Sequence, residues 1–273
     1  MIEPPYRTIG VASTFSPRFV QVLAEAKRMR DRFGSRLNLI YVGKKSDETV
    51  RKFGKVLREL ELPADSAVHY HQGDPAAAIL EAATANNVDL LVAGALEKEV
   101  VLRTILGNVA RRLVRQSRCS VILFTKPERE PKPLQRIVFM AEYSDHGRRA
   151  LKQAVHLAAA EGCERLYVIR VYTSFDEARA ALRETEDLPS AALTLDEEEA
   201  ALEKFVDSAG ATEVPIEARC IRGNTGYAAL DFIQSVGANL LVVPIESLAT
   251  SDDFPAHISW VTETIPCNLW IVR

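Results

Sequence analysis

Two glycines, Gly94 and Gly107, stand where a backbone could grip an anion. Gly94 follows the apolar run Leu90, Leu91, Val92, Ala93, which reads as a strand buried on both faces. Gly107 precedes a helical pattern carrying Val109, Ala110, Leu113 and Val114, and a second apolar strand closes the stretch at Thr125. Glycine lets backbone N–H groups approach a ligand closely, and a helix N-terminus favours negative charge. Strand, long loop, helix and strand in this order is how an α/β sheet holds a phosphate. The plainer explanation is that both glycines only permit tight turns.

Other chemistries leave little trace. The chain has no G-x-x-x-x-G-K-[ST] phosphate loop, no G-x-G-x-x-G after its first strand, no G-x-S-x-G and no H-E-x-x-H. His69 and His71 share one face of a strand, but no third ligand follows at metal-site spacing. No serine or cysteine nucleophile has a base at a recognisable spacing.

The elements that must position the glycines recur along the chain. Thr8 to Ser13 reads as a first strand, and Ser16-Pro17 as the cap and first-turn proline of a helix burying Phe19, Val22, Leu23, Ala26 and Met29. Leu37 to Val42 is a second strand. Residues 46–60 form a helix with Val50, Phe53, Val56 and Leu57 on one face. Ser66 to Gln72 alternates as a third strand, and Asp74-Pro75 opens the next helix. The order βαβαβαβαβ implies a parallel, doubly wound sheet. After the proline-rich linker Pro127 to Pro133 the pattern restarts. Residues 137–141 match 9–13, Gly162 matches Gly34, 166–171 matches 37–42, Gly223 matches Gly73, 239–243 matches 89–93, and Cys267 matches Cys119. A repeat this long means two copies of one fold. The second copy differs mainly at 172–208, a long acidic segment with a capping box at Thr194 and Glu197.

The length of 273 residues suits two domains of about 130–140. A net charge of −3 argues against a general nucleic-acid binder. The charge is uneven: residues 1–127 carry 20 Lys and Arg against 13 Asp and Glu, and residues 128–273 carry 14 against 24. The four cysteines, in no C-x-x-C pair, read as buried hydrophobes of a reducing compartment. With no apolar leader and no run of membrane-spanning length, the expectation is a cytoplasmic chain without membrane insertion.

The stretch from Gly94 resembles the phosphate loop of the universal stress protein family, G-x-x-G, nine residues, then G-S or G-T. Gly94 and Gly107 fit; Glu97 and Asn108 replace the second glycine and the hydroxyl residue. Glu97 puts a carboxylate where phosphate should lie, whereas Asn108 can still cap the helix or donate to a phosphate. Together with the repeat, the chain resembles a tandem universal stress protein of the UspA type over its whole length. The resemblance implies two Rossmann-like α/β domains of the adenine nucleotide alpha hydrolase-like type, 1–127 and 134–273. Each is a five-stranded parallel doubly wound sheet of strand order 3-2-1-4-5. In that order the crevice lies between strands 1 and 4, which brings Thr14 beside Gly94. Thr14 stands where nucleotide-binding members carry an aspartate. Val42 takes the position whose backbone recognises adenine, and Val109 follows Asn108 as the family pattern has it.

The expected cofactor-binding set is therefore Thr14, Val42, Gly94, Gly107, Asn108 and Val109, taking ATP or another adenine nucleotide weakly. No catalytic residue and no metal site is expected. Arg103 lies in the loop, and Arg111, Arg112 and Arg115 read as a solvated helix face. In the second copy Pro244 replaces the first glycine, Pro255-Ala256 falls where Gly107-Asn108 fell, Ser251, Asp252 and Asp253 add negative charge, and Glu142 replaces Thr14, so no nucleotide is expected there. The resemblance implies a non-enzymatic stress-response regulator acting through a protein partner, with the acidic 172–208 segment as the candidate partner surface. Its rivals are an ATP-hydrolysing member of the same fold and a nucleotide-independent scaffold. The apolar closing strands 120–125 and 268–273 would lie at bare sheet edges. In the family such strands pair across a dimer; here an intramolecular pseudo-dimer is expected, with a homodimer as the alternative.

Overall fold

The computed structural model describes residues 5–13, 15–63, 66–95, 97–100, 103–185, 193–246 and 254–273. The chain forms two compact units. The first comprises Met1–Pro133 with Ser247–Phe254 and Thr262–Arg273; the second comprises Leu134–Glu246 with Pro255–Val261.

The first repeat gives β1 (Thr8–Ser13), α1 (Phe19–Phe33), β2 (Arg36–Val42), α2 (Asp47–Glu59), β3 (Ala67–His71), α3 (Pro75–Ala85), β4 (Leu90–Gly94), β5 (Glu97–Val100), β6 (Arg103–Leu106), α4 (Asn108–Gln116) and β7 (Ser120–Phe124). Strands β3, β2, β1, β4 and β7 pair in that order, all parallel, which is the expected 3-2-1-4-5 sheet. Leu90, Leu91 and Val92 are fully buried, because helices cover both faces of a doubly wound sheet. In the first repeat the start of α3 lands as the sequence predicts. Asp74 accepts from the Ala77 N–H at 3.0 Å with Pro75 as first helical residue. Gly34 ends α1 with φ of 67°, a left-handed conformation that favours glycine.

The second repeat gives β8 (Arg136–Met140), α5 (Asp145–Glu161), β9 (Arg165–Tyr172), α6 (Ser174–Thr185), α7 (Leu195–Asp207), β10 (Ile216–Arg222), α8 (Thr225–Ser235), β11 (Leu240–Pro244), a 3-10 helix Ala256–Thr262, β12 (Thr264–Ile265) and β13 (Asn268–Val272). In the second unit β10, β9, β8 and β11 pair in parallel, the order 3-2-1-4. Gly162 repeats the left-handed ending of Gly34, with φ of 63°. Ser144 caps α5 by accepting from the Gly147 N–H at 2.9 Å, and Thr194 with Glu197 forms the capping box of α7. The closing strand β13 belongs to the first unit, where it runs antiparallel to β7 with Trp270 opposite Ile122. Trp270 is fully buried there against Tyr6 and Phe33, at ring separations of 6.2 and 5.8 Å.

Four local expectations change. Ser16-Pro17 forms a turn, not a cap: the Ser16 carbonyl accepts from the Phe19 N–H at 3.0 Å, and Arg18 is the residue before α1. In the first turn of α2, Val50 is 45% exposed, whereas Phe53, Val56 and Leu57 are buried. The segment between Gly94 and Gly107 is not an open loop: β5 and β6 form an antiparallel pair, and β6 also pairs with β12. The acidic 172–208 segment contains two helices of different character. Leu202 and Phe205 of α7 are buried, and Phe205 packs on Phe139 and Tyr143. Removing the whole segment would therefore open the second core. By contrast, α6 exposes Phe175 and Leu182.

Candidate functional site

In the first unit β1 and β4 are neighbours, with Ile9 opposite Leu90, and their carboxyl ends carry Ser13 and Gly94. Winding reverses between these strands, which is where a doubly wound sheet opens a crevice. A cavity of about 420 Å³ occupies the position. Val42, Gly94 and Val109 of the expected set line it, together with Ser13, which precedes Thr14. Thr14 itself lies outside the described residues. Gly107 and Asn108 lie beside the cavity at the start of α4 without lining it. Gly107, not Asn108, is the capping residue, and Asn108 is the first helical residue, so its side chain cannot serve as the cap.

The wall is mainly apolar. Phe19 and Val22 come from α1, Pro75 and Ile79 from α3, Ala110 and Leu113 from α4, and Pro17 and Pro127 from the connections. Sequence reasoning read Phe19, Val22, Ala110 and Leu113 as helix core and not as a cavity wall, because a core-facing helical stripe looks the same whether it fills a core or walls a cavity. Their only separate signal is position: each lies at a carboxyl-end connection or on the first turns of the helix after it. Gly94 has a packing role as well. A Cβ there would come within 2.9 Å of Val22 Cγ2, so glycine is what lets α1 close on the end of β4.

Electrostatically the site is weak. Arg18 is the one cation among the described lining residues, and its Nη1 donates to the Thr125 carbonyl at 3.3 Å. The arginines of α4 are engaged elsewhere within the unit, not simply solvated. Arg111 Nε donates to the Thr262 carbonyl at 3.0 Å, Arg112 pairs with Asp74, and Arg115 lies 5.4 Å over the Phe254 ring. The Ala77 N–H first, and then Arg112, hold the Asp74 carboxyl below its usual range. Among the described residues, what remains for an anion is the amino end of α4, worth about 0.3–1 kcal/mol. The side chain of Glu97 lies outside the described residues, as do Ser251, Asp252 and Asp253; the backbone of Glu97 belongs to β5.

The matching crevice of the second unit is nearly filled, at about 70 Å³. Glu142, Val171 and Pro244 stand at the repeat positions of Thr14, Val42 and Gly94, and His257 at that of Val109. Burial, then Arg170, pushes the His257 pKa down, with Glu142 opposing. Arg170 donates from Nε to the buried Glu198 at 3.0 Å, and the Tyr143 hydroxyl donates to the same oxygen at 2.8 Å. Arg170, which lines this crevice, is thus held by a carboxylate outside it.

Among the described residues no His, Cys, Asp or Glu group could hold a metal ion, and no helix is long and apolar enough to cross a membrane.

The chain's relatives agree with this architecture. The family model described as Universal stress protein family matches residues 5–125 and 133–273. A curated universal stress protein of Methanocaldococcus jannaschii is 37% identical over 59 residues, 22% of this chain; the match spans 35% of that protein's length. Among solved structures, a universal stress protein from Archaeoglobus fulgidus aligns with a TM-score of 0.66 at 14% identity, covering 97% of this chain and 96% of that one. A functionally unknown protein from Pseudomonas aeruginosa aligns with a TM-score of 0.69 at 16% identity, covering 98% and 92%. Such identities speak for the fold alone; the family assignment rests on the two model matches. The chain belongs to the universal stress protein family, as a tandem member, and that membership supports a role in the stress response.

Proposed function

We propose that this is a non-enzymatic cytoplasmic stress-response regulator. Its first unit holds an adenine nucleotide weakly in the β1–β4 crevice, and its second unit holds none. The observation that carries this reading is the cavity of about 420 Å³, which gathers Val42, Gly94 and Val109 at the carboxyl ends of the strands. An apolar wall with few polar groups suits a flat, weakly polar base. Thr14 stays in the proposed set from its place after β1, with Gly107 and Asn108 beside the cavity mouth. Titration calorimetry with ATP and Mg²⁺ tests the reading: saturable binding abolished by Val109→Trp supports it, and no heat from any adenine compound refutes it. A phosphate-release assay separates this regulator from an ATP-hydrolysing protein.

Output passes to a protein partner. The exposed Phe175 and Leu182 of α6, 67% and 54% accessible, favour that helix over α7 as the contact. A Phe175→Asp variant that keeps its melting temperature should lose the partner. The β7 edge is already covered by β13, which favours intramolecular pairing of the closing strands over a homodimer built on that edge.

A further inference from the structure

We infer that the crevice of the first unit selects the nucleoside end of the adenine series and gains nothing from a triphosphate or from Mg²⁺. This rests on the adenine reading of the cavity given above.

The argument follows the groups that a phosphate would need. A phosphate nest requires successive backbone N–H groups that converge on one point. In a strand, successive N–H groups point to opposite edges and cannot converge. The segment after Gly94 is built from strands. Glu97 pairs with Leu106 and Lys98 with Ile105, while Thr264 and Ile265 cover the other edge of β6. The Leu106 N–H donates to the Glu263 carbonyl at 3.2 Å. The Ala95 N–H, next after Gly94, donates to the Phe124 carbonyl at 2.9 Å. Thus the backbone on both sides of the expected loop is committed to sheet.

The charged groups are committed too. Arg111, Arg112 and Arg115 have partners on Thr262, Asp74 and Phe254. Among the described lining residues Arg18 is the one cation, and there is no carboxylate to hold a divalent metal. Among the described groups, a triphosphate would bring about four negative charges to one arginine and one helix end. The base and sugar meet Val11, Val22, Val42, Ile79 and Val109, so binding resides there.

The test is a titration of the full chain with adenosine, AMP, ADP and ATP, each with and without Mg²⁺, at low and moderate salt. Adenosine and ATP are expected to bind within about threefold of each other, with no change on adding Mg²⁺ and no fall with salt. Arg112→Gln should leave the ATP affinity unchanged, and Val109→Trp, folded by circular dichroism, should abolish binding of every member. A preference for ATP·Mg²⁺ of about tenfold or more, or a comparable loss of ATP affinity in Arg112→Gln, overturns the inference and leaves the adenine reading standing. Silence from the whole series overturns both.

Discussion

Asn268 ties β13 to the end of β7: its Oδ1 accepts from the Thr125 N–H at 2.9 Å and from the Thr125 hydroxyl at 3.2 Å. The two residues are separated by 143 positions in sequence. Thr125 is buried, so losing this acceptor leaves its N–H without one. Asn268→Leu is expected to cost about 1–3 kcal/mol, and Asn268→Asp, which keeps an oxygen there, less. Urea unfolding of both variants reads this directly; equal midpoints would show that the contact contributes nothing.

Gly147 sits at the start of α5, where an added Cβ would fall inside contact distance of the Glu142 carbonyl oxygen. Backbone cannot yield as a flexible side chain does. Gly147→Ala should destabilise the protein by about 1–3 kcal/mol, whereas Gly54→Ala, which meets only the end of the Arg58 side chain at 3.5 Å, should not. Thermal denaturation of the pair provides the comparison.

Glu198 is the shared acceptor for Tyr143 and Arg170. Burial, and then the Glu198 carboxylate, push the Tyr143 phenol pKa up. Tyr143 and Arg170 are both partly open to water, so Glu198→Ala should cost only about 0.5–1.5 kcal/mol, with Glu198→Gln costing less. It should also bring the Tyr143 ionisation back down, which an alkaline absorbance titration would detect as one tyrosine ionising earlier.

Acid should weaken the fold partly through His69. Its Nε2 is buried without a hydrogen-bond partner among the described residues, and burial followed by the charge of His71 lowers its pKa from 6.5. The neutral ring is therefore the folded form. Above the unfolded value the group has no effect. As the pH falls below it, the unfolded chain takes up a proton first, so stability is lost on the way down through the folded pKa. His257 shifts in the same direction, so His69→Gln should remove only part of the slope. Denaturant midpoints from about pH 7.5 to about pH 5 measure it, and an unchanged slope in the variant would assign the acid sensitivity elsewhere.

Features that depend on neighbouring residues were legible in the sequence. Asp74 caps α3, and Thr194 with Glu197 caps α7, because each needs only groups three residues away. The strand order of the first unit and the repeat were legible because hydrophobic period and turn residues recur together. The β5–β6 pair was not, since its third strand, β12, arrives about 160 residues later and no local signal announces it. Val50 was misread because helical period locates the centre of a buried stripe better than its end. Of the candidate site, Gly94 was placed by its spacing and Val42 and Val109 by the family resemblance, and all three line the cavity, while Arg18 was missed because the turn at Ser16-Pro17 delays the helix.

The placement of Thr262–Arg273 in the first unit has an evolutionary consequence. Ordinary tandem domains can be shuffled by recombination at their linker. Here a break between Pro127 and Pro133 would strip the first module of the strand against which Ile122 and Leu123 lie. A first module cut loose there would carry a bare β7 edge, and a second copy of itself is the simplest thing that could close it.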